Sequence, residues 1–158
     1  MHCYCTFPSA LGEVVVQADD RGITGVWFEQ HTTKPSDLGS LQPEHGLLQQ
    51  AREQLQQYFV GQRQTFELPL NPVGTEFQQR VWQALQKIPY GTHCSYQDIA
   101  VSLGMPSASR AVGTANGKNP ISILVPCHRV IGASGKLTGY AGGVERKRWL
   151  LQLEATSS

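Results

Sequence analysis

Apolar and polar positions alternate near the N-terminus, then switch to helical spacing further along. Residues 1–30 read as strands: Glu13–Ala18 and Ile23–Glu29 are β-rich runs joined by Asp19-Asp20-Arg21-Gly22, a hairpin turn in which glycine supplies positive φ. Cys3 and Cys5 alternate in an earlier strand and share one face. Residues 31–46 are polar, with Lys34-Pro35 and Gln42-Pro43, and predict a loop. From Leu47, apolar residues recur at Leu48, Ala51, Leu55 and Tyr58/Phe59, a helix that stops before Gly61. The run Leu68-Pro69-Leu70-Asn71-Pro72-Val73-Gly74 reads as a connector and divides the chain into residues 1–72 and 73–158.

The second part reads as helical. Thr75 and Gln78 form a capping box for a helix with the stripe Phe77, Val81, Trp82, Leu85 and Ile88, ending at Pro89-Tyr90-Gly91. Ser95 caps a second helix, with Asp98 in its first turn and Ile99, Ala100 and Leu103 inward. After the turn Gly104-Met105-Pro106, Ser107 caps a third helix whose Ala108, Ala111, Val112 and Ala115 share one face. Helix, tight glycine turn, helix is the helix-turn-helix arrangement. The outer face of the third helix offers Ser109, Arg110, Gly113 and Thr114, so a nucleic acid can approach closely and Arg110 is its long cation. A packed alanine-rich hairpin is the plainer alternative. Gly117 is placed to take the left-handed cap, and Pro120 forbids continuation. Val144–Leu153 is a closing helix with Trp149, Leu150 and Leu153 inward, followed by Glu154.

Composition narrows the class. At 158 residues the chain can bury one good core or two small ones, and 16 glycines with 9 prolines favour a loop-rich α+β protein. No apolar stretch approaches the ~20 residues of a membrane span, and no signal-peptide pattern opens the chain. A soluble cytoplasmic protein is expected, or a nuclear one if the source is eukaryotic. The net charge of +1 hides a split: residues 1–72 hold four Lys/Arg against eight acids, giving −4, and residues 73–158 hold nine against four, giving +5. That imbalance points the second part toward a polyanion. Cys3, Cys5, Cys94 and Cys127 make no disulfide framework. Cys-x-Cys, even with His2 and His31, lacks the usual zinc spacing, so no metal and no cofactor are expected.

The chemistry concentrates in Ile121–Val130. A β-branched run ends at Pro126, and a thiol (Cys127) and an imidazole (His128) follow, with Arg129 next. Pro126 fixes its own φ and pushes Val125 toward extended geometry, so Cys127 leaves the segment at a stiff angle. Thiolate character rises beside a basic group, which makes Cys127 a candidate nucleophile. A cysteine after an apolar run is more often a small buried hydrophobe. Asn119 carries a short amide able to bridge backbone groups on either side. The glycine-rich loops Gly132–Gly135 and Gly139–Gly143 fit no phosphate loop and read as pocket wall, where Tyr140 can stack on a base.

Asn119-Pro120, PCHRV at 126–130 and Gly139-Tyr140-Ala141-Gly142-Gly143 together resemble the O6-alkylguanine-DNA alkyltransferases, from about Gly74 to Glu154. The resemblance implies a small ribonuclease-H-like N-terminal α/β domain in a supporting role, without nuclease residues. It implies a mostly helical C-terminal domain with a winged-helix-like helix-turn-helix that enters the minor groove. It implies stoichiometric, irreversible alkyl transfer from O6-alkylguanine, and from O4-alkylthymine, in double-stranded DNA to Cys127 by a monomer. In that reading Glu154 orients His128, which takes the Cys127 proton through a water, and Tyr96 protonates the leaving base. Asn119 becomes the hinge between the recognition helix and the PCHR segment. Arg110 fills the space left by the flipped base, Gln97, Ser109 and Gly113 meet the DNA, and backbone at Val125 and Val130 with Tyr140 holds the base. Ala141 and Asn116 depart from some members and bear on which larger alkyl groups fit. Two other readings stay open on the residues alone: a turnover cysteine hydrolase, and a DNA-binding regulator or lesion sensor with a structural cysteine.

Overall fold

The computed structural model describes residues 1–137 and 139–157. Three strands, β1 (Cys3–Ser9), β2 (Gly12–Asp19) and β3 (Gly22–Phe28), form an antiparallel meander, and the two-residue β4 (Ser40–Leu41) adds in parallel to β1, giving the order β3-β2-β1-β4. β4 lies inside the stretch that reads as a loop, because two residues carry no visible alternation. Cys3 and Cys5 share the core-facing side as expected, and Phe7 joins them there. Helix α1 (Gly46–Phe59) buries Leu48, Ala51, Leu55, Tyr58 and Phe59 and packs on β1 and β2. Gly22 is needed for closeness more than for the turn: a Cβ there would sit 2.6 Å from the Pro69 carbonyl oxygen.

That contact shows how the two parts join. β3 is buried along its whole length although it ends the sheet. Its outer edge is taken by two later segments. Ile23 N donates to Pro69 O at 2.8 Å and Asn71 N to Ile23 O at 2.7 Å; Val26 N donates to Pro120 O at 3.0 Å and Ser122 N to Val26 O at 3.2 Å. The Pro-rich connector and the start of the Ile121–Val130 stretch therefore satisfy backbone groups an open edge would leave bare. The N-terminal sheet is a rail against which the reactive segment is laid.

Helix α2 (Glu76–Leu85) opens with the Thr75/Gln78 capping box and α3 (Tyr96–Ser102) with the Ser95/Asp98 box. α2 ends at Leu85, short of the predicted stop, so Ile88 is buried from the following turn. Gly104 takes φ +72 in the turn before α4 (Ser109–Gly117). Ser107 does not cap α4: the N-cap is Ala108, which has no capping side chain. Ala111 is exposed; the inner face is Val112, Ala115 and Asn116, with the Trp82 indole donating to Ala115 O at 2.9 Å. Gly117 remains inside the helix and Lys118 ends it. Short parallel strands β5 (Cys94–Ser95) and β6 (Val130–Ile131) tie the start of α3 to the end of the reactive segment. Helix α5 (Val144–Ser157) runs past Leu153, so Glu154 lies within it, buried, one turn from buried Leu150 and two from buried Lys147. Among the described residues no helix is long and apolar enough to cross a membrane.

Candidate active site

The segment from Asn119 to Cys127 is folded around one side chain. The Asn119 amide donates to Val125 O at 2.9 Å and Ile121 O at 3.3 Å, while its oxygen accepts from Ile121 N at 3.0 Å. Inside that clasp Val125 N reaches Ile121 O at 3.0 Å, and Ile123 takes φ 73, a left-handed conformation rarely held by a β-branched residue. Pro126 then leads into a single 3-10 turn, Cys127–Arg129. The Cys127 N–H donates to Val125 O at 2.8 Å, and the Asn116 amide, from α4, reaches Cys127 O at 3.4 Å.

Cys127 is 3 % exposed. Burial pushes its thiol up to about 11, against a hydrogen bond from Asn119 and the charge of Lys147, which pull the other way. The resting sulfur is a neutral thiol. The adjacent imidazole faces Glu154, with His128 Nε2 to Oε2 at 2.6 Å. His128 is fully buried, and burial lowers its pKa against the pull of Glu154, so the ring is neutral with the proton on Nε2. Its Nδ1 is buried and has no hydrogen-bond partner among the described residues. A bare ring nitrogen in the residue after a protonated thiol is the arrangement of a base in waiting.

Glu154 is the hub. Arg129 reaches it twice, Nε to Oε1 at 2.8 Å and Nη2 to Oε2 at 3.0 Å, and its Nη1 donates to Ile88 O at 2.7 Å. The Tyr58 hydroxyl, from α1, donates to Oε2 at 2.6 Å. Burial would raise the Glu154 carboxyl, but hydrogen bonds from His128, Arg129 and Tyr58 outweigh it and hold it at about 2. Lys147, fully buried, donates to Val130 O at 2.5 Å; burial lowers its pKa to about 8, opposed by Cys127. The Tyr140 hydroxyl pairs with Ser122 Oγ, and its ring meets His31 edge-on at 5.8 Å. Ala141 O accepts from Thr32 N at 3.1 Å, which fastens the 139–143 loop to the N-terminal part.

The residues singled out in the sequence fall into two groups. Cys127, His128, Glu154, Asn119, Val125, Val130 and Tyr140 are buried together. The Val125 and Val130 carbonyls already accept protein hydrogen bonds, from Asn119 and Cys127 and from Lys147. Tyr96, Gln97, Ser109, Arg110 and Gly113, together with Ala133, line an open outer cleft of about 550 Å³ at α3 and α4. Arg110 is exposed there, while Gln97 donates to Pro106 O at 2.9 Å across the helix-turn-helix turn. The Tyr96 hydroxyl lies against the 139–143 loop: a Cβ at Gly139 would be 2.9 Å from it. Sequence reasoning missed Tyr58, Ser122, Lys147 and the bidentate role of Arg129. Lys147, Leu150 and Glu154 lie three and four apart on one face of α5, and two opposite charges on an apolar stripe were the available signal. Among the described residues no three His, Cys, Asp or Glu side chains converge as metal ligands; Cys3 Sγ instead donates to Ala18 O at 3.7 Å.

A helix-turn-helix unit beside a buried thiol, with a carboxylate-held imidazole next in sequence, marks the class as a DNA-binding protein with a candidate cysteine nucleophile. Residues 3–72 match the ribonuclease-like domain, and residues 76–156 the DNA-binding domain, of 6-O-methylguanine DNA methyltransferase. The chain belongs to the methylated-DNA–protein-cysteine methyltransferase family. It is 50 % identical over 151 residues to the Mycobacterium tuberculosis member, covering 96 % of this chain and 91 % of that protein. It is 47 % identical to the constitutive Bacillus subtilis enzyme, covering 99 % and 98 %. The crystal structure of M. tuberculosis O6-methylguanine methyltransferase superposes with a TM-score of 0.91 at 48 % identity, covering 100 % of this chain and 95 % of that one. That of M. tuberculosis OGT in complex with DNA gives 0.90 at 47 %, covering 99 % and 94 %.

Proposed function

We propose that the protein repairs DNA by direct reversal, taking the alkyl group from O6 of guanine in duplex DNA onto Cys127 Sγ, with O4-alkylthymine as a second substrate. The observation that carries the reading is the neutral His128, fixed by Glu154 with Nδ1 bare, in the residue after a protonated thiol. His128 takes the thiol proton through a water, and the imidazolium so formed rests against a carboxylate 2.6 Å away. The S–C bond forms as the C–O bond breaks. Tyr96 donates a proton to the departing guanine and regains one from the imidazolium, so atoms and charge balance.

The product is a thioether. It has no carbonyl for water to attack, so each molecule, acting as a monomer, reacts once. A base within a duplex cannot reach a sulfur this enclosed, so it is flipped out, with Arg110 filling the gap. Unstacking takes a few kcal/mol, least for a poorly paired damaged base, which favours lesions over normal guanine. The test is intact-mass measurement after exposure to excess O6-methylguanine duplex. One methyl per protein, mapped to Cys127 and absent in Cys127→Ala, is expected. Continued product beyond one equivalent, or methyl elsewhere, overturns the reading.

A further inference from the structure

Glu154 accepts more hydrogen bonds than a base-orienting carboxylate requires. Oε2 takes His128 Nε2 and the Tyr58 hydroxyl, both at 2.6 Å, and Arg129 Nη2 at 3.0 Å; Oε1 takes Arg129 Nε at 2.8 Å and Gly91 N at 3.4 Å. A carboxylate offers about four lone-pair sites, so this one is saturated and cannot turn. Tyr58 stands out among the donors. It lies 96 residues away in sequence, on the N-terminal helix α1, and is fully buried. Its ring is locked by Phe59 at 5.8 Å, Phe66 at 5.5 Å and Tyr90 at 6.1 Å. Burial and Glu154 both keep its hydroxyl protonated, so it is a permanent donor.

We propose that Tyr58 is a positioning residue of the transfer centre: its hydroxyl pins Glu154 Oε2 so that the carboxylate holds His128 by Nε2 and leaves Nδ1 open as the base. The proposal rests on the reading of His128 as the base for Cys127, and gives the N-terminal domain a part in the chemistry beyond support. The groups around the pair act in known directions. Glu154 favours the imidazolium, Arg129 and Lys147 oppose it, the Cys127 thiol and the Tyr58 hydroxyl are uncharged, and the Tyr90 ring lies 5.6 Å from the Arg129 guanidinium. Removing the Tyr58 hydroxyl strips one donor from Oε2 and concentrates negative charge on the oxygen that His128 faces. The pull of Glu154, which favours protonating His128, is thereby strengthened.

The test is ¹⁵N imidazole NMR on histidine-labelled protein, with the His128 signal assigned by its loss in His128→Gln. In the unaltered protein Nε2 reports as protonated and Nδ1 as bare. Tyr58→Phe keeps the packed ring, and the midpoint of His128 protonation is expected to move up by about half a pH unit or more. The acidic limb of the alkyl-transfer rate should move with it. Phe66→Leu loosens the same ring without touching Glu154 and should leave the midpoint where it was. A Tyr58→Phe titration that overlays the parent, or an equal shift in Phe66→Leu, overturns the proposal. The imidazole signal needs no alkyl transfer, so absence of a mass gain at Cys127 counts against the reading of the reaction, and absence of the shift against Tyr58.

Discussion

Asn119→Ala is the sharpest test of how the reactive segment is held. The substitution removes three hydrogen bonds to the backbone, whose partners differ in what remains to them. Ile121 N–H, in a residue with no exposure, loses the acceptor that Asn119 supplies, and an unsatisfied buried donor costs about 1–3 kcal/mol. Val125 O keeps the Cys127 N–H and Ile121 O keeps the Val125 N–H, so each loses only about 0.5–1.5 kcal/mol. The expected total is roughly 2–6 kcal/mol, centred on ~4, below most of the typical stability range of about 5–15 kcal/mol, so the variant is expected to fold. Urea denaturation should show the lower midpoint with an unchanged slope. Alkyl transfer should also slow, because the hydrogen bond that lowers the Cys127 pKa is gone. Asn119→Asp keeps the shape but sets a carboxylate oxygen against two carbonyls, and should be worse than alanine. A loss below about 1 kcal/mol for alanine, or an aspartate variant as stable as the parent, would refute the reasoning.

Three further outcomes are expected. Glu154→Gln leaves buried Arg129 without its counter-charge and should destabilise by about 3–5 kcal/mol, measured by denaturant titration; a loss under about 1 kcal/mol would contradict the network described. His31 is held neutral by burial and by Arg146, its pKa lowered from 6.5 to about 4, and its Nδ1 accepts from Phe28 N at 3.1 Å. A depressed histidine contributes stability above its unfolded pKa, so about 3 kcal/mol should disappear as pH falls from about 6.5 to about 4. His31→Phe should remove that part of the pH dependence, and an unchanged pH–stability curve would rule it out. Arg110→Ala should keep full stability yet slow transfer from duplex DNA about tenfold or more while changing transfer from the free modified base less than about twofold, since flipping into the pocket is what it serves. Equal losses on both substrates would remove Arg110 from that role.

How much could be read from the chain depends on distance along it. The Thr75 and Ser95 caps were legible because a capping box is closed within four residues, and α1 because its stripe repeats locally. Ser107 misled because the residue after Pro106 belongs to the turn, and α4 begins two positions later without a side-chain cap. β4 escaped because its partner β1 lies more than thirty residues back. Within the site, Cys127 and His128 stood out as candidates while a plain buried cysteine stayed open, and the place of Glu154 followed from family resemblance alone. Nothing in Leu55, Tyr58 and Phe59 marks one of the three as a hydrogen-bond donor to a residue 96 positions away. An apolar stripe hides a hydroxyl, because only the tertiary fold decides which end of a tyrosine carries the role.

The uncharged, enclosed state of Cys127 bears on how such a molecule can wait. An ionised, exposed sulfur would meet peroxides and stray electrophiles long before any damaged base, and oxidation would disarm it. A protein that acts once gains nothing from readiness that shortens its shelf life. Keeping the proton on until a substrate arrives makes each encounter slower and each copy longer-lived, and for a reagent with no second turn, endurance counts for more than speed.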